Sequence, residues 1–351
     1  MFLANPIRTK KMNDRTVSIA SRFQNLRSQK TENGRFTVLS IEGLPHKLGA
    51  TREGYPVFFV LMEAQGSAVQ GIIREILSVE YNVSCSLVDD GKDEQEGVFA
   101  IITLRSTDLS LQADFIEIML LMLRKISPTP SNRELSGEVE NLIAIFDSLS
   151  APPRKKIQGL WAELLVIEQS LEPELLVKAW HSLPSAKYDF TLGEEKIEVK
   201  STASEERIHR FALDQLNPSP NSKLLIASVF VRESGRATSG LSVKDLYFRI
   251  RNKVSADSQL HLYTVIAETI GNDVAKLETI CFDYTTAVDF LEFYDYRDIP
   301  RIAKSDIPDQ VTEVRFASNL NGLDDVRKKA STDWSNCPLF RSLGQKTWRE
   351  R

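Results

Sequence analysis

Cysteine is scarce in this chain: Cys85, Cys281 and Cys337 are the full set in 351 residues. They stand far apart and form no C-x-x-C pair, which excludes a disulfide framework and a cysteine zinc site. Histidine is nearly as rare, and His46, His181, His209 and His261 show no metal-ligand spacing. No uninterrupted apolar run has the length needed to cross a bilayer. Met1 to Lys30 is polar and basic, without the apolar h-region of a secretory leader. These absences lead to the expectation of a cytoplasmic protein with reduced thiols and no membrane partner. A dominant charge is missing too: 44 Lys and Arg face 48 Asp and Glu, for a net charge of −4. That balance argues against tight non-specific binding to nucleic acid. A local basic stripe would still suffice for a specific partner. Internal repeats and low-complexity segments are absent as well.

With 42% apolar and 26% charged residues, the composition is that of a globular protein, and the length allows two domains. Residues 1–34 are polar, with a helix expected over Thr16 to Arg27. Arg35 to Glu42 and Tyr55 to Glu63 read as strands. Ile73 to Val88 and Gly97 to Arg105 supply two more around an acidic loop. Asp108 is placed to cap an apolar helix running to Ile126. Residues 1–127 therefore read as a β-rich α+β domain. Ser127-Pro128-Thr129-Pro130 marks a boundary. Residues 128–153 read as a helical linker containing a helix from Glu134 to Leu149, and residues 154–351 as the second domain. There the pattern predicts helices over Ile157–Leu171, Glu174–His181, Glu205–Leu216 and Val243–Val254. Strands are expected at Lys223 to Val231, Ala287 to Tyr296 and Thr312 to Ala317.

The chemistry concentrates in Lys187-Tyr188-Asp189-Phe190-Thr191-Leu192 and Glu195-Lys196-Ile197-Glu198-Val199-Lys200-Ser201. Both runs alternate apolar and polar residues, and Gly193-Glu194 between them suits a type II′ hairpin turn. That turn pairs Phe190 with Ile197, Tyr188 with Val199 and Asp189 with Glu198. Facing carboxylates destabilise a sheet, so either one is protonated or a cation lies between them. Lys200 projects from the same face as Glu198. Upstream, the helical neighbours of Glu163 are Gly159, Leu160, Val166 and Ile167, all non-polar. A carboxylate on a buried face needs a partner, and the hairpin acids or a core cation could provide one.

A helix acid, Gly159-Leu160-Trp161-Ala162-Glu163-Leu164, followed by Asp189 and then Glu198-Val199-Lys200, resembles the PD-(D/E)XK nuclease superfamily. More narrowly, it resembles bacterial PD-(D/E)XK proteins of unassigned function that occur beside phage-defence genes. The resemblance implies an α/β fold with a restriction-endonuclease-like core. Its order is αβββαβ, with a mixed sheet flanked by helices, here joined to the additional N-terminal α+β domain. Helix 157–171 would come first, the hairpin would lie at the centre, and helix 205–216 and strand 223–231 would close the core. Leu175 to Trp180 is the helix-like candidate for the initial strand.

By the same resemblance, Asp189, Glu198 and Glu163 are metal ligands, with the Val199 carbonyl as a further one. Lys200 positions or deprotonates the attacking water, and Gln215 is an accessory polar residue. Tyr188 departs from the family pattern, which has proline at that position. All-oxygen ligands suit Mg²⁺, with Mn²⁺ able to substitute. Lys155, Lys156, Arg207, His209 and Arg210 are candidates for phosphate contacts. The implied activity is Mg²⁺-dependent endonuclease cleavage of DNA, a phosphodiester hydrolase reaction in a restriction or phage-defence system. DNA, a second subunit for cutting both strands, and other defence proteins are the implied partners. The competing expectation is a non-catalytic nuclease-fold subunit that binds DNA or scaffolds a defence complex. The acidic net charge and the large flanking regions favour that alternative.

Overall fold

The computed structural model of the chain describes residues 19, 21–26, 36–63, 69–89, 94–149, 152–153, 156–181, 186–235, 240–328 and 336–344. The fold is mixed α/β and divides into two units, Met1–Ser148 and Leu149–Arg351. Within the expected helix Thr16 to Arg27, residues 19 and 21–26 are described and are helical. Among the described residues, no helix is long and apolar enough to cross a membrane.

The first unit is built on β1 (Phe36–Ser40), β2 (Lys47–Ala50), β3 (Pro56–Leu61), β4 (Ile72–Ile73), β5 (Leu77–Asp89) and β6 (Glu94–Leu104). Their order is β1-β2-β3-β6-β5-β4, and β1 also pairs in parallel with β5, so the pairing runs back to where it began. The strand β2 has no counterpart in the sequence reading, because Lys47-Leu48-Gly49-Ala50 is short and contains glycine. Packing demands that glycine: a Cβ on Gly49 would lie 3.0 Å from the Phe59 ring. Helix α1 (Leu109–Leu123) starts as expected, with the Leu111 amide donating to Asp108 Oδ1 at 2.9 Å. Phe115 of α1 meets Phe58 and Phe146 edge-on at 5.6 and 5.8 Å between ring centroids. Phe146 belongs to α2 (Asn132–Ser148), so the stretch read as a linker packs into this unit's core.

The second unit begins with α3 (Ile157–Gln169) and α4 (Pro173–Ala179). It continues through β7 (Phe190–Leu192), β8 (Glu195–Thr202), β9 (Ile208–Ala212), β10 (Lys223–Phe230) and β11 (Gly240–Ser242). Helices α5 (Val243–Arg251) and α6 (Ala256–Ile270) come next, followed by β12 (Cys281–Asp283), β13 (Glu292–Asp295) and β14 (Arg315–Asn319). One sheet has the order β13-β10-β8-β7; β8 and β10 run parallel and the outer pairs antiparallel. Helix α3 packs on β8 and α5. It is apolar on nearly every side and buries Leu160, Trp161, Leu164, Leu165 and Ile167. Trp161 donates to the Leu241 carbonyl at 2.9 Å and packs on Phe282, which makes it a core residue.

Three expectations are corrected here. Leu175 to Trp180 is not an initial strand; Pro173 opens a helix that covers Leu175 to Ala179, and Trp180 contributes only a single bridge to Phe190. Residues 205–216 are not a helix either. They form β9, paired with β14, and a single 3₁₀ turn, Leu213–Leu216. The alternation along β9 is inverted relative to a normal strand, with Arg207, His209 and Phe211 buried and Ile208 and Arg210 exposed. Hydrophobicity therefore carried no usable period. Lastly, Ala287 lies in a helix, Tyr284–Asp289, and the strand starts only at Glu292.

Candidate active site

Gly193 opens the hairpin loop with φ +56, the sign a type II′ turn needs at its first position. The resulting register matches the sequence reading where strand is present: Phe190 pairs with Ile197 and Leu192 with Glu195. The ladder then stops. Asp189 and Tyr188 lie outside β7, so Asp189 does not face Glu198 as a cross-strand pair. Instead, Asp189 Oδ2 accepts the Val199 amide at 2.8 Å, and the Asp189 carbonyl accepts the His181 amide at 2.9 Å. Ending the ladder here avoids the like-charge pairing and gives one carboxylate a backbone donor. In an extended strand, a residue's N–H and C=O point to the same neighbour. The Val199 carbonyl therefore faces the Asp189 side too.

Glu163 is 3% exposed, on the α3 face that meets this hairpin. Its Oε2 accepts Trp180 Nε1 at 2.8 Å and lies 3.0 Å from His181 Nε2. His181 Nε2 is also 3.8 Å from Asp189 Oδ1. Glu163, His181 and Asp189 can each offer a ligand atom, and those atoms lie within 4.8 Å of one another. His181 stands in this group although the sequence reading found no metal-ligand spacing for any histidine. Its signal is topological: it closes the helix leading into the hairpin, and no spacing motif marks it.

Glu198 stands beside this group in a set of its own. Its Oε1 accepts Lys200 Nζ at 2.7 Å and Gln215 Nε2 at 2.5 Å. Gln215 Oε1 accepts Lys200 at 3.0 Å and the Ala212 amide at 3.1 Å. The amide bond to Ala212 fixes the 3₁₀ turn, so Gln215 is held by backbone and not by a helix. Tyr188, standing where the family pattern has proline, reaches the carbonyls of Asp214 and Gln215 at 3.4 Å and props the same turn. Burial and the nearby Glu198 keep the Tyr188 hydroxyl protonated, with its pKa raised. Lys200 Nζ also sits 5.3 Å above the Phe211 ring.

The phosphate-contact candidates separate. Lys155 lies outside the described residues. Lys156 is exposed at the N-cap of α3, and Arg210 is exposed on β9. Arg207 and His209 are 5% and 3% exposed, which removes them from any surface. Arg207 bonds the Ser228 carbonyl and hydroxyl, the Phe290 carbonyl and Glu292, and stacks on Phe230. His209 Nε2 lies 2.7 Å from Ser228 Oγ. Burial, then Arg207 and Lys200, push the His209 pKa down to about 4, so its ring is neutral.

The donor chemistry fits a divalent cation. Two carboxylates buried to at least nine-tenths, Glu163 and Asp189, converge with the His181 imidazole, and the equally buried Glu198 is held by the Lys200 ammonium and the Gln215 amide in a set of its own. Bringing acids out of water is costly unless positive charge accompanies them. Carboxylate oxygens are the preferred donors of Mg²⁺ and Mn²⁺. A family model described as "Putative PD-(D/E)XK family member, (DUF4420)" matches residues 46–321. Neither the curated proteins nor the solved structures give a match.

Proposed function

The chain belongs to this PD-(D/E)XK family, and from that premise we propose that it is a divalent-cation-dependent nuclease that hydrolyses phosphodiester bonds of DNA. The observation that carries the proposal is the convergence of Glu163, His181 and Asp189 beside the Glu198–Lys200–Gln215 set. On this reading, residues 157–230 are a restriction-endonuclease-like core in which the 3₁₀ turn stands where the second helix was expected. Asp189, Glu163, Glu198 and the Val199 carbonyl would hold the ion, Mg²⁺ or Mn²⁺. When bound, the ion supplies Lewis-acid stabilisation of charge developing on the phosphate.

The chain's own residues account for the other requirements. Hydrolysis forms a bond from water oxygen to phosphorus and breaks the P–O ester bond, and the leaving oxygen takes up a proton. Lys200, as an ammonium, donates hydrogen bonds and can hold the water oxygen in place. Glu198 and Gln215 fix where Nζ points, because both accept from it. That fixing lowers the entropy cost of aligning the attack. Work in a restriction or phage-defence system, with DNA, a second subunit and other defence proteins as partners, forms part of the same proposal.

The test is incubation of supercoiled and linear DNA with the full chain and Mg²⁺ or Mn²⁺, read on gels. Cation-dependent cutting that disappears in Asp189→Ala is expected. Intact DNA under all these conditions, with any partner proteins added, would overturn the proposal. A second reading, a non-catalytic nuclease-fold DNA-binding or scaffolding subunit, has one observation in its favour. Met1–Ser148 forms a separate unit that contains none of the site residues. Equal protection of cells by wild type and Asp189→Ala would select that reading.

A further inference from the structure

We infer that His181 is a nitrogen ligand of the cation site and that it biases the site toward first-row divalent ions such as Mn²⁺ over Mg²⁺. The inference rests on the reading that this site binds a divalent cation, and it specifies which kind. Its basis is the atom placement. His181 Nε2 lies 3.0 Å from Glu163 Oε2 and 3.8 Å from Asp189 Oδ1, so one ring nitrogen is directed at the two carboxylates. The acids are 3% and 6% exposed, whereas the His181 side chain is 23% exposed, so the imidazole stands on the solvent side of the group.

His181 is anchored there through its own amide and the residue before it. Its amide donates to the Asp189 carbonyl, and Trp180 before it bridges to Phe190 and donates its indole N–H to Glu163. His181 takes φ +42, in the left-handed region that a side chain with a Cβ disfavours by about 1–3 kcal/mol. A conformation with that cost persists only where the surroundings over-determine it. Here they fix a ring nitrogen over two acids.

Donor chemistry supplies the selectivity. Mg²⁺ demands oxygen ligands and retains its waters. Imidazole nitrogen favours transition ions, and affinity for a given nitrogen-containing site rises along the first row from Mn²⁺. A site of oxygens alone would leave Mg²⁺ unopposed, and one nitrogen in the set tilts it. Ligation also requires the imidazole proton on the other ring nitrogen, which a neutral histidine can accommodate. The competing role is purely positional, with His181 donating its Nε2 proton to Glu163 and never meeting the ion.

Pulsed electron paramagnetic resonance of the full chain loaded with Mn²⁺ alone separates these roles, because nitrogen bound to Mn²⁺ modulates the echo. We expect ¹⁴N modulation in wild type. It should convert to a ¹⁵N pattern in protein labelled with ¹⁵N-histidine, disappear in His181→Gln and persist in His209→Gln. Mn²⁺ affinity of His181→Gln should fall roughly 10–100-fold, at least what loss of an outer-shell partner costs, while Mg²⁺ affinity by competition changes much less. Glutamine can still donate to Glu163, so a positional role would leave Mn²⁺ affinity near wild type. Bound Mn²⁺ without histidine modulation in wild type overturns the inference and leaves the nuclease proposal standing. Retention of the modulation in His181→Gln does the same. If wild type binds no Mn²⁺, the inference and the cation site fall together. Should His181→Gln fail to fold, the labelled wild-type spectrum decides alone.

Discussion

Two polar clusters, one reaching β8 through Glu198 and Lys200 and the other reaching the neighbouring β10 through Ser228, differ in charge balance. One gathers Glu163, Asp189 and Glu198 with His181, Lys200 and Gln215. The other joins Arg207 and Lys328 to Glu292, and Arg327 to Asp325, with Ser228, His209 and Tyr294 between them. In the second, each acid meets a cation at hydrogen-bond distance, and burial, which would raise the Glu292 pKa, is outweighed by Tyr294, Arg207 and Lys328. With three cations for two carboxylates, this cluster has no surplus negative charge, is complete without a ligand and serves the scaffold. The acid-rich cluster is the one whose charge a dication would complement. Burial of charge alone does not mark a site, since both clusters are buried; the sign left over does.

The strongest test of this contrast is to remove charge from the acid-rich cluster. Lys200→Ala should lower phosphodiester hydrolysis on the order of 10²–10³-fold, the usual worth of one preorganised hydrogen-bond donor at a reacting centre. Asp189→Asn should abolish cation binding in calorimetry while still offering an acceptor to the Val199 amide. Because it also removes one of the two negative charges grouped at Glu163 and Asp189, its melting temperature without divalent cations should stay level or rise. A large drop in that melting temperature would show that the acids serve the fold, and the contrast would fail.

The reciprocal test removes charge from the second cluster. Arg207→Met leaves Glu292 without its buried guanidinium and removes the Arg207 donor from the Ser228 carbonyl and hydroxyl. Breaking one partner of a buried pair costs about 3–5 kcal/mol, which urea unfolding of the second unit would show. Had Arg207 been a phosphate contact, as its charge suggested, the loss would appear in DNA affinity at unchanged stability.

Residue by residue, the sequence was informative where side-chain period and turn chemistry agree. Gly193, the Phe190–Ile197 pairing and the apolar surroundings of Glu163 were legible because each follows from local rules. Asp189, Glu198, Lys200 and Gln215 were proposed together only through the family resemblance, and Gln215 turned out to sit on a 3₁₀ turn and not on the expected helix. His181 was not legible, because its partners are brought to it by the path from α4 into the hairpin and no spacing encodes that path. β9 misled for a different reason. Its inward residues are Arg207 and His209, so the face that packs is the face that reads as solvated. Pro128 and Pro130 precede α2 within the first unit, and Phe146 of that helix packs back onto Phe115, a contact between distant segments that no local pattern encodes.

Acid should sharpen the comparison by a smaller amount. The folded pKa of His209, about 4, lies below its ordinary value of 6.5. A group depressed in this way contributes stability in full above pH 6.5, and that contribution is lost as pH falls from 6.5 toward about 4. The complete shift corresponds to at most about 3 kcal/mol. His46, buried in the first unit, is also held at about 4 by desolvation and adds a slope of the same sign. Urea midpoints measured between neutral and mildly acid pH should therefore decline in wild type. In His209→Gln the decline of the second unit's transition should flatten, while that of the first unit persists. An unchanged acid slope in His209→Gln would mean that the ring is not buried as a neutral group.

The smallest effects belong to the two described phosphate-contact candidates that face solvent. Lys156 caps the helix that carries Glu163, and Arg210 points outward from the strand whose inner face carries Arg207 and His209. Neither closes a buried polar group, so alanine at either position should change stability by less than about 0.5 kcal/mol. If they meet DNA phosphates, each substitution should reduce the slope of log affinity against log salt by about one. The double variant should lose both increments, since the residues share no partner. An unaltered slope would place the path of the nucleic acid elsewhere on the second unit, while leaving untouched the division between a cluster that is complete and one that calls for a cation.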